Sequence, residues 1–219
     1  MLDEIGRSVE SRPITCGRFG GGGSGDRRGP LLVVGGVHGD EPASVDAVTE
    51  LVVALAAGAP AGGPVLALPA LNPDGLARGT KNSARDVDLN RNFPAANFSV
   101  SHATGYFPGK APLSEPETRA LAELVEREPV AAVVAVHAPF ACVNYDGPAA
   151  AWAAAVAAAC GWPARSDIGY PTPGSLGSWL GVDRGLPVLT LELPAGPYAG
   201  FRRQAQAALL EAVRRWTYE

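Results

Sequence analysis

An α/β fold, one domain with a mixed, mostly parallel central β-sheet flanked by helices, is what this sequence predicts. Three observations carry that expectation. Short apolar runs alternate with helix-like segments along the chain, the pattern of strands connected by packed helices. Runs such as Leu31-Leu-Val-Val34 and Val130 to Val136 are apolar throughout, as strands buried on both faces are. The 219 residues show no internal repeat and no linker with domain-like composition on both sides, so a single domain over residues 1–219 is expected.

The elements follow in order. Arg12 to Phe19 reads as a first strand and Leu31 to Val37 as a second. The Gly-rich stretch from Gly20 to Pro30 lacks the Gly-Lys-Ser/Thr ending of a phosphate loop, and no helix follows it. It therefore reads as a flexible connection. Pro42 to Ala57 is a helix with proline at an early position and Gly58 as its stop. Ala59 to Pro64 is a loop, Val65 to Ala70 a strand, and Asn72-Pro-Asp-Gly75 has turn chemistry. Pro94 to Pro112 is long and mixed, a segment suited to lie over a pocket as a lid. Ser114-Glu-Pro-Glu117 fits a capping box that opens a helix to about Glu128, so its acids read as helix-start residues. Val130 to Val136 is a strand ending at His137, and Ala149 to Cys160 a helix stopped by Gly161 and Pro163. Pro187 to Leu191 is a short strand ending at Glu192, and Phe201 to Trp216 has the spacing of a helix packed on the sheet.

Composition excludes several classes. A formal charge of −4 and the absence of a basic stripe argue against nucleic acid as a partner. No apolar run approaches the roughly 18 residues of a membrane span, so no membrane partner is expected. The amino terminus is charged where a signal peptide would be apolar, which predicts a cytoplasmic protein. Cys16, Cys142 and Cys160 are sparse and unpaired in spacing, as reduced structural thiols are.

The chemistry-bearing residues share one topological property. His38, Glu41, His137 and Glu192 each end or immediately follow an apolar strand. In open α/β sheets, ligands bind beyond the carboxyl ends of strands, so wide sequence separation is no obstacle to convergence. Two imidazoles and a carboxylate form a three-ligand zinc set with the fourth position open to water. Glu192 is then the candidate base, because a buried strand end is an unfavourable place for a carboxylate with no task or partner. Residue by residue, blander readings stay open: His38 as a turn residue, Glu41 as a first-turn acid, His137 as a satisfied core histidine. His38-Gly-Asp40 with His137 also spells the facial triad of non-haem iron enzymes, although that triad is expected on all-β scaffolds.

Asp88-Leu-Asn-Arg-Asn-Phe-Pro94 narrows the choice. With His38-Gly-Asp-Glu41, Asn72-Pro-Asp-Gly75, Ser114-Glu-Pro-Glu-Thr118 and Glu192, it resembles the zinc carboxypeptidase family of the carboxypeptidase A type. His137-Ala-Pro-Phe-Ala-Cys142 and the segment from Gly169 to Trp179 point within it to the bacterial amidases of murein peptides. The resemblance implies one zinc per chain, held by His38, Glu41 and His137. It implies Glu192 as the base that activates the attacking water and later protonates the leaving amine, and Asp88 as the acceptor that orients a zinc histidine. Asn90 and Arg91 would hold the substrate carboxylate, and Tyr170 would close over the substrate. Gly177 falls where some relatives carry a pocket acid, so selection of basic side chains by that means is not expected.

One position departs from the pattern. Nine residues before Asn90, where the family has an arginine that polarises the scissile carbonyl, this chain has Lys81, with Arg85 four residues later. Either cation is a candidate electrophile. The expected substrate is a small peptide with a free carboxylate, a murein tripeptide cleaved between γ-D-glutamate and meso-diaminopimelate. Two rivals remain at this stage: an N-acyl amino-acid deacylase resembling succinylglutamate desuccinylase or aspartoacylase, and a zinc-dependent peptide binder without turnover.

Overall fold

In a computed structural model, which describes residues 2–20, 29–59 and 63–218, eight strands form one sheet in the order β1-β2-β4-β3-β5-β8-β6-β7. These are β1 (Leu2–Arg7), β2 (Pro13–Phe19), β3 (Leu31–Val34), β4 (Val65–Leu68), β5 (Ala132–His137), β6 (Phe140–Asp146), β7 (Ala164–Arg165) and β8 (Val188–Pro194). The helices are α1 (Pro42–Ala56), α2 (Pro73–Arg78), α3 (Pro116–Arg127), α4 (Ala150–Cys160) and α5 (Arg202–Tyr218). The four central strands β4, β3, β5 and β8 run parallel, while β1, β2 and β6 join antiparallel. The predicted mixed sheet is observed.

Apolar periodicity explains the layering. Alternate residues of β3 face opposite cores: Leu31 and Val33 pack with α1, α4 and α5, and Leu32 and Val34 pack with α3. All four side chains are fully buried, each contributing about 1.5–3 kcal/mol of transfer free energy. A continuous apolar run is what a strand covered on both faces requires. Among the described residues no helix is long and apolar enough to cross a membrane.

Several boundaries differ from expectation, each for a local reason. The expected strand from Leu31 to Val37 ends at Val34, because Gly35 and Gly36 turn their backbone bonds to Leu71, Asn72 and the Ser44 hydroxyl. Asn72 to Gly75 does not end in a turn; the Asn72 side chain accepts from Gly75 N at 2.8 Å and caps the short helix α2. β1, β6 and the two-residue β7 were not expected. Neither was a π-helical segment from Gly177 to Asp183. β8 runs on past Glu192 to Pro194. Pro94 to Pro112 has no regular element, as expected, and it reaches the sheet's carboxyl end, where Phe107 O accepts from Asp88 N at 2.8 Å. The Gly-rich connection expected after Gly20 lies largely outside the described residues.

The capping box at Ser114 to Glu117 does not form. The N-cap residue of α3 is Glu115, without a capping bond from its own side chain. Asn92, fully buried, supplies the cap from outside the helix: its Oδ1 accepts from Glu115 N at 3.2 Å and from Thr118 Oγ1 at 2.7 Å. Its amide nitrogen donates to Pro108 O, Ala111 O and Ser114 Oγ. Glu117 turns away to accept from Val9 N. One amide thus closes α3 and pins the irregular segment before it.

Replacing Asn92 by alanine would leave several buried polar groups unpaired. We expect a loss of about 2–4 kcal/mol in urea unfolding with an unchanged m-value. A loss below about 1 kcal/mol would contradict this role.

Candidate active site

Strand register brings the site together. β5 and β8 are parallel neighbours in which His137 pairs with Glu192, so both side chains leave the same face of the sheet side by side. β6 pairs antiparallel with β8, opposing Cys142 to Glu192, Asn144 to Thr190 and Asp146 to Val188. Period-two alternation then places Ala135, His137, Thr190, Glu192, Asn144 and Asp146 along one wall of a cavity of about 650 Å³.

The turn between β3 and α1 supplies the other half. Gly39 N donates to Lys81 O at 3.1 Å, and a Cβ on Gly39 would lie 2.0 Å from the Gly75 carbonyl carbon. Only glycine allows this turn to press against α2 and hold His38 and Glu41 over the strand ends. Glu41 is the N-cap residue of α1 but makes no capping bond with its side chain. Its carboxylate faces the histidines instead: Oε1 is 2.8 Å from His38 Nδ1, and Oε2 is 3.1 Å from His137 Nδ1. Ala138 N also donates to Oε2 at 3.2 Å. The ligand atoms of His38, Glu41 and His137 all lie within 4.8 Å of one another. Asp40, the acid of the alternative iron triad, lines the cavity but is exposed and stands outside this group.

Behind these donors lies Asp88, fully buried. Its Oδ1 accepts from His38 Nε2 at 3.1 Å and from Asn90 N at 2.9 Å, and its Oδ2 accepts from Lys81 Nζ at 2.7 Å. With Nε2 committed, His38 presents Nδ1 to the centre of the group. Asn90 and Arg91 sit on a single 3-10 turn, Leu89–Arg91, capped by the same Asp88. Asn90 Oδ1 accepts from Leu176 N at 3.0 Å, and its amide nitrogen is 3.5 Å from His137 Nε2. The buried Arg91 guanidinium hydrogen-bonds Asn90 O at 2.7 Å and reaches Tyr170. Tyr170 is 38% exposed at the cavity mouth, near Phe140 and Tyr106. Lys81 lines the cavity, whereas Arg85 is exposed and does not.

Electrostatics single out Glu192. It is 5% exposed, and its Oε2 has no hydrogen-bonding partner among the described residues. Burial pushes its carboxyl above the usual range against the pull of His137. Glu41 behaves oppositely. Burial opposes its charge, but the two histidines win and bring it down to about 2. Burial likewise opposes a charged His38, yet Asp88 and Glu41 lift it to about 9. The carboxylate of Asp88 is held far below the usual range by the same contacts, despite its burial. Two imidazoles facing a shared carboxylate, with a buried carboxyl beside them whose Oε2 has no partner among the described residues, make a donor set that fits a divalent cation and a general base.

Two lining residues escaped the sequence reading. Tyr106, from the irregular segment, lies over the Lys81 ammonium at 3.6 Å from ring centroid to Nζ. Asp146, at the end of β6, has no hydrogen-bonding or ionic partner among the described residues, and burial alone lifts its carboxyl. A Cβ on Gly177 would meet Asp146 Oδ2 at 2.3 Å. The position where some relatives are expected to carry a pocket acid thus lies against the Asp146 carboxylate, and the glycine leaves room for it. The signal in the sequence was the alternation of Cys142, Asn144 and Asp146 against Val143 and Tyr145.

Fold and site define a metal-dependent hydrolase. The model of the zinc carboxypeptidase family matches residues 1–151, and the chain belongs to that family. It is 37% identical over 175 residues to murein peptide amidase A of Escherichia coli strain K12, covering 74% of this chain and 70% of that protein. A crystal structure of murein-tripeptide amidase from Escherichia coli O157 superposes with a TM-score of 0.76 at 29% identity, covering 100% of this chain and 92% of that one. Carboxypeptidase A from Helicoverpa armigera shares the fold, with a TM-score of 0.81 at 19% identity, covering 98% and 66% of the respective chains.

The shifted groups set the pH dependence of the metal-free protein. His38, raised to about 9, contributes stability that is full below about 6.5 and is lost as pH rises through 9. Glu41, lowered to about 2, contributes above about 4.5 and loses its contribution as pH falls through 2. Denaturant unfolding of the metal-free protein should therefore show greatest stability near pH 5–6, with a loss of about 1–3 kcal/mol by pH 9.5. A flat profile from pH 6 to 9.5 would contradict the assigned contacts.

Proposed function

We propose that this chain is a zinc amidase that hydrolyses the γ-D-glutamyl-meso-diaminopimelate bond of murein peptides. The observation that carries the reading is the buried carboxylate of Glu192, its Oε2 without a hydrogen-bonding partner among the described residues, beside the convergent donors His38, Glu41 and His137. Those three would hold one zinc ion per chain, which when bound acidifies water and polarises a carbonyl. The resemblance to murein peptide amidase A supports the substrate.

The chain's own groups supply the rest. Glu192, raised by burial, takes the proton of the attacking water and returns it to the leaving amine. No acyl-enzyme is needed, and Cys142, the nearest thiol, is buried with its own pKa raised, which makes it a poor nucleophile. Arg91 and Asn90 hold the free carboxylate of the diaminopimelate residue next to the scissile bond. Tyr170, at the mouth, closes over that residue and excludes water. The far end of diaminopimelate carries an ammonium beside a second carboxylate, and Asp146, which lines the cavity against Gly177, would receive the ammonium. A cytoplasmic setting belongs to this reading, and three free, buried thiols suit a reducing compartment.

Zinc-loaded protein incubated with L-alanyl-γ-D-glutamyl-diaminopimelate and with acylated amino acids should release diaminopimelate alone. Deacylation alone would overturn the reading in favour of an N-acyl amino-acid deacylase. No release at full zinc occupancy would favour a binder without turnover. Within the same assay, Glu192→Gln should lower kcat by about 100- to 10,000-fold with zinc retained. Asp146→Asn should raise KM about tenfold for the diaminopimelate peptide and leave an analogue ending in norleucine unaffected.

A further inference from the structure

We propose that Lys81 is a positioning residue that braces the metal-binding histidine through Asp88, and not the group that meets the substrate oxyanion. The inference rests on the metal site proposed above and concerns how that site is held.

An ammonium has three N–H donors, and all three are engaged. One donates to Asp88 Oδ2 at 2.7 Å and one to Gly105 O at 3.2 Å, and the third meets the face of Tyr106, whose centroid is 3.6 Å away. No donor remains for an oxyanion while this arrangement holds. Swinging towards the substrate would strip Asp88 Oδ2 of the only hydrogen bond it accepts among the described residues, in a side chain with no exposed surface. Asp88 Oδ1 cannot compensate, since it already serves His38 Nε2 and Asn90 N.

The main chain of Lys81 works in the same direction. Its carbonyl accepts from Gly39 N and from Asn72 Nδ2, both at 3.1 Å. Gly39 lies between His38 and Glu41. Lys81 therefore fixes the ligand-bearing turn by its backbone, and fixes the His38 ring through Asp88 by its side chain.

The test is zinc affinity by chelator competition in wild type, Lys81→Met, Asp88→Asn and the double variant, with folding checked by circular dichroism. Lys81→Met should weaken zinc binding about tenfold or more, as loss of a partner behind a metal ligand does. The double variant should bind as weakly as Asp88→Asn alone, because lysine acts only through Asp88. Lys81→Arg, which keeps the charge at Asp88, should recover most of the affinity. The inference is overturned if Lys81→Met binds zinc within twofold of wild type or more tightly, or if the two losses multiply in the double variant. An unfolded Lys81→Met leaves the decision to Lys81→Arg, which then must bind zinc within a few-fold of wild type. Wild-type protein that binds no zinc would overturn the metal site as well, so the two failures are distinct.

Discussion

The side chain of Asp88 has no exposed surface, and every bond it accepts reaches a different part of the site. It receives a ring nitrogen of His38, the amide that opens the turn bearing Asn90 and Arg91, and the ammonium of Lys81. A charge buried in this way survives only when it is fully paired, because the interior returns little of the lost hydration. Asp88 is paired fully, and the pairing obliges the His38 ring and the turn bearing Asn90 and Arg91 to keep fixed positions relative to each other. Removing any one partner would leave part of a buried anion unmet, so the arrangement behaves as a unit.

Around that anchor the sheet does the coarse placement. Parallel register sets His137 beside Glu192, and the antiparallel return of β6 brings Asn144 and Asp146 to the same wall. Close backbone approach finishes the job at Gly39 and Gly177, where a side chain would collide with Gly75 and Asp146 respectively. The cost of this assembly is electrostatic. Glu192, buried, and Asp146, half-buried, carry raised carboxyl pKa values because each loses hydration without an adequate partner. Groups held in unfavourable surroundings by a rigid scaffold are what a hydrolytic site needs, and they are also where local rules of stability are broken.

Much of this was legible in the sequence, and the rest failed for identifiable reasons. The strands at Leu31 and Ala132 and the helices at Pro42, Ala150 and Arg202 announce themselves by apolar runs and by Pro and Gly punctuation. His38, Glu41, His137 and Glu192 were visible because each follows or ends such a run. β6 was missed because its wall-facing residues are polar, which disguises a strand that faces a wet cavity. The capping box at Ser114 was misread because the competing partner, Asn92, lies more than twenty residues upstream (no local pattern reports a cap delivered in trans). Lys81 was located but read, with Arg85, as a candidate electrophile, since where its three donors point is not visible in the sequence.

The proposed chemistry requires His38, Glu41 and His137 to share one metal ion. Diffraction from zinc-loaded crystals, with anomalous data at the zinc edge, examines that directly. It should show one strong peak about 2.0–2.2 Å from a nitrogen of each histidine and from a Glu41 oxygen. Glu192 should stand free of the metal, and Asp88 should still bond His38. A peak ligated by Asp40 or Glu192 in place of Glu41, or no peak between the two histidines, would contradict the account.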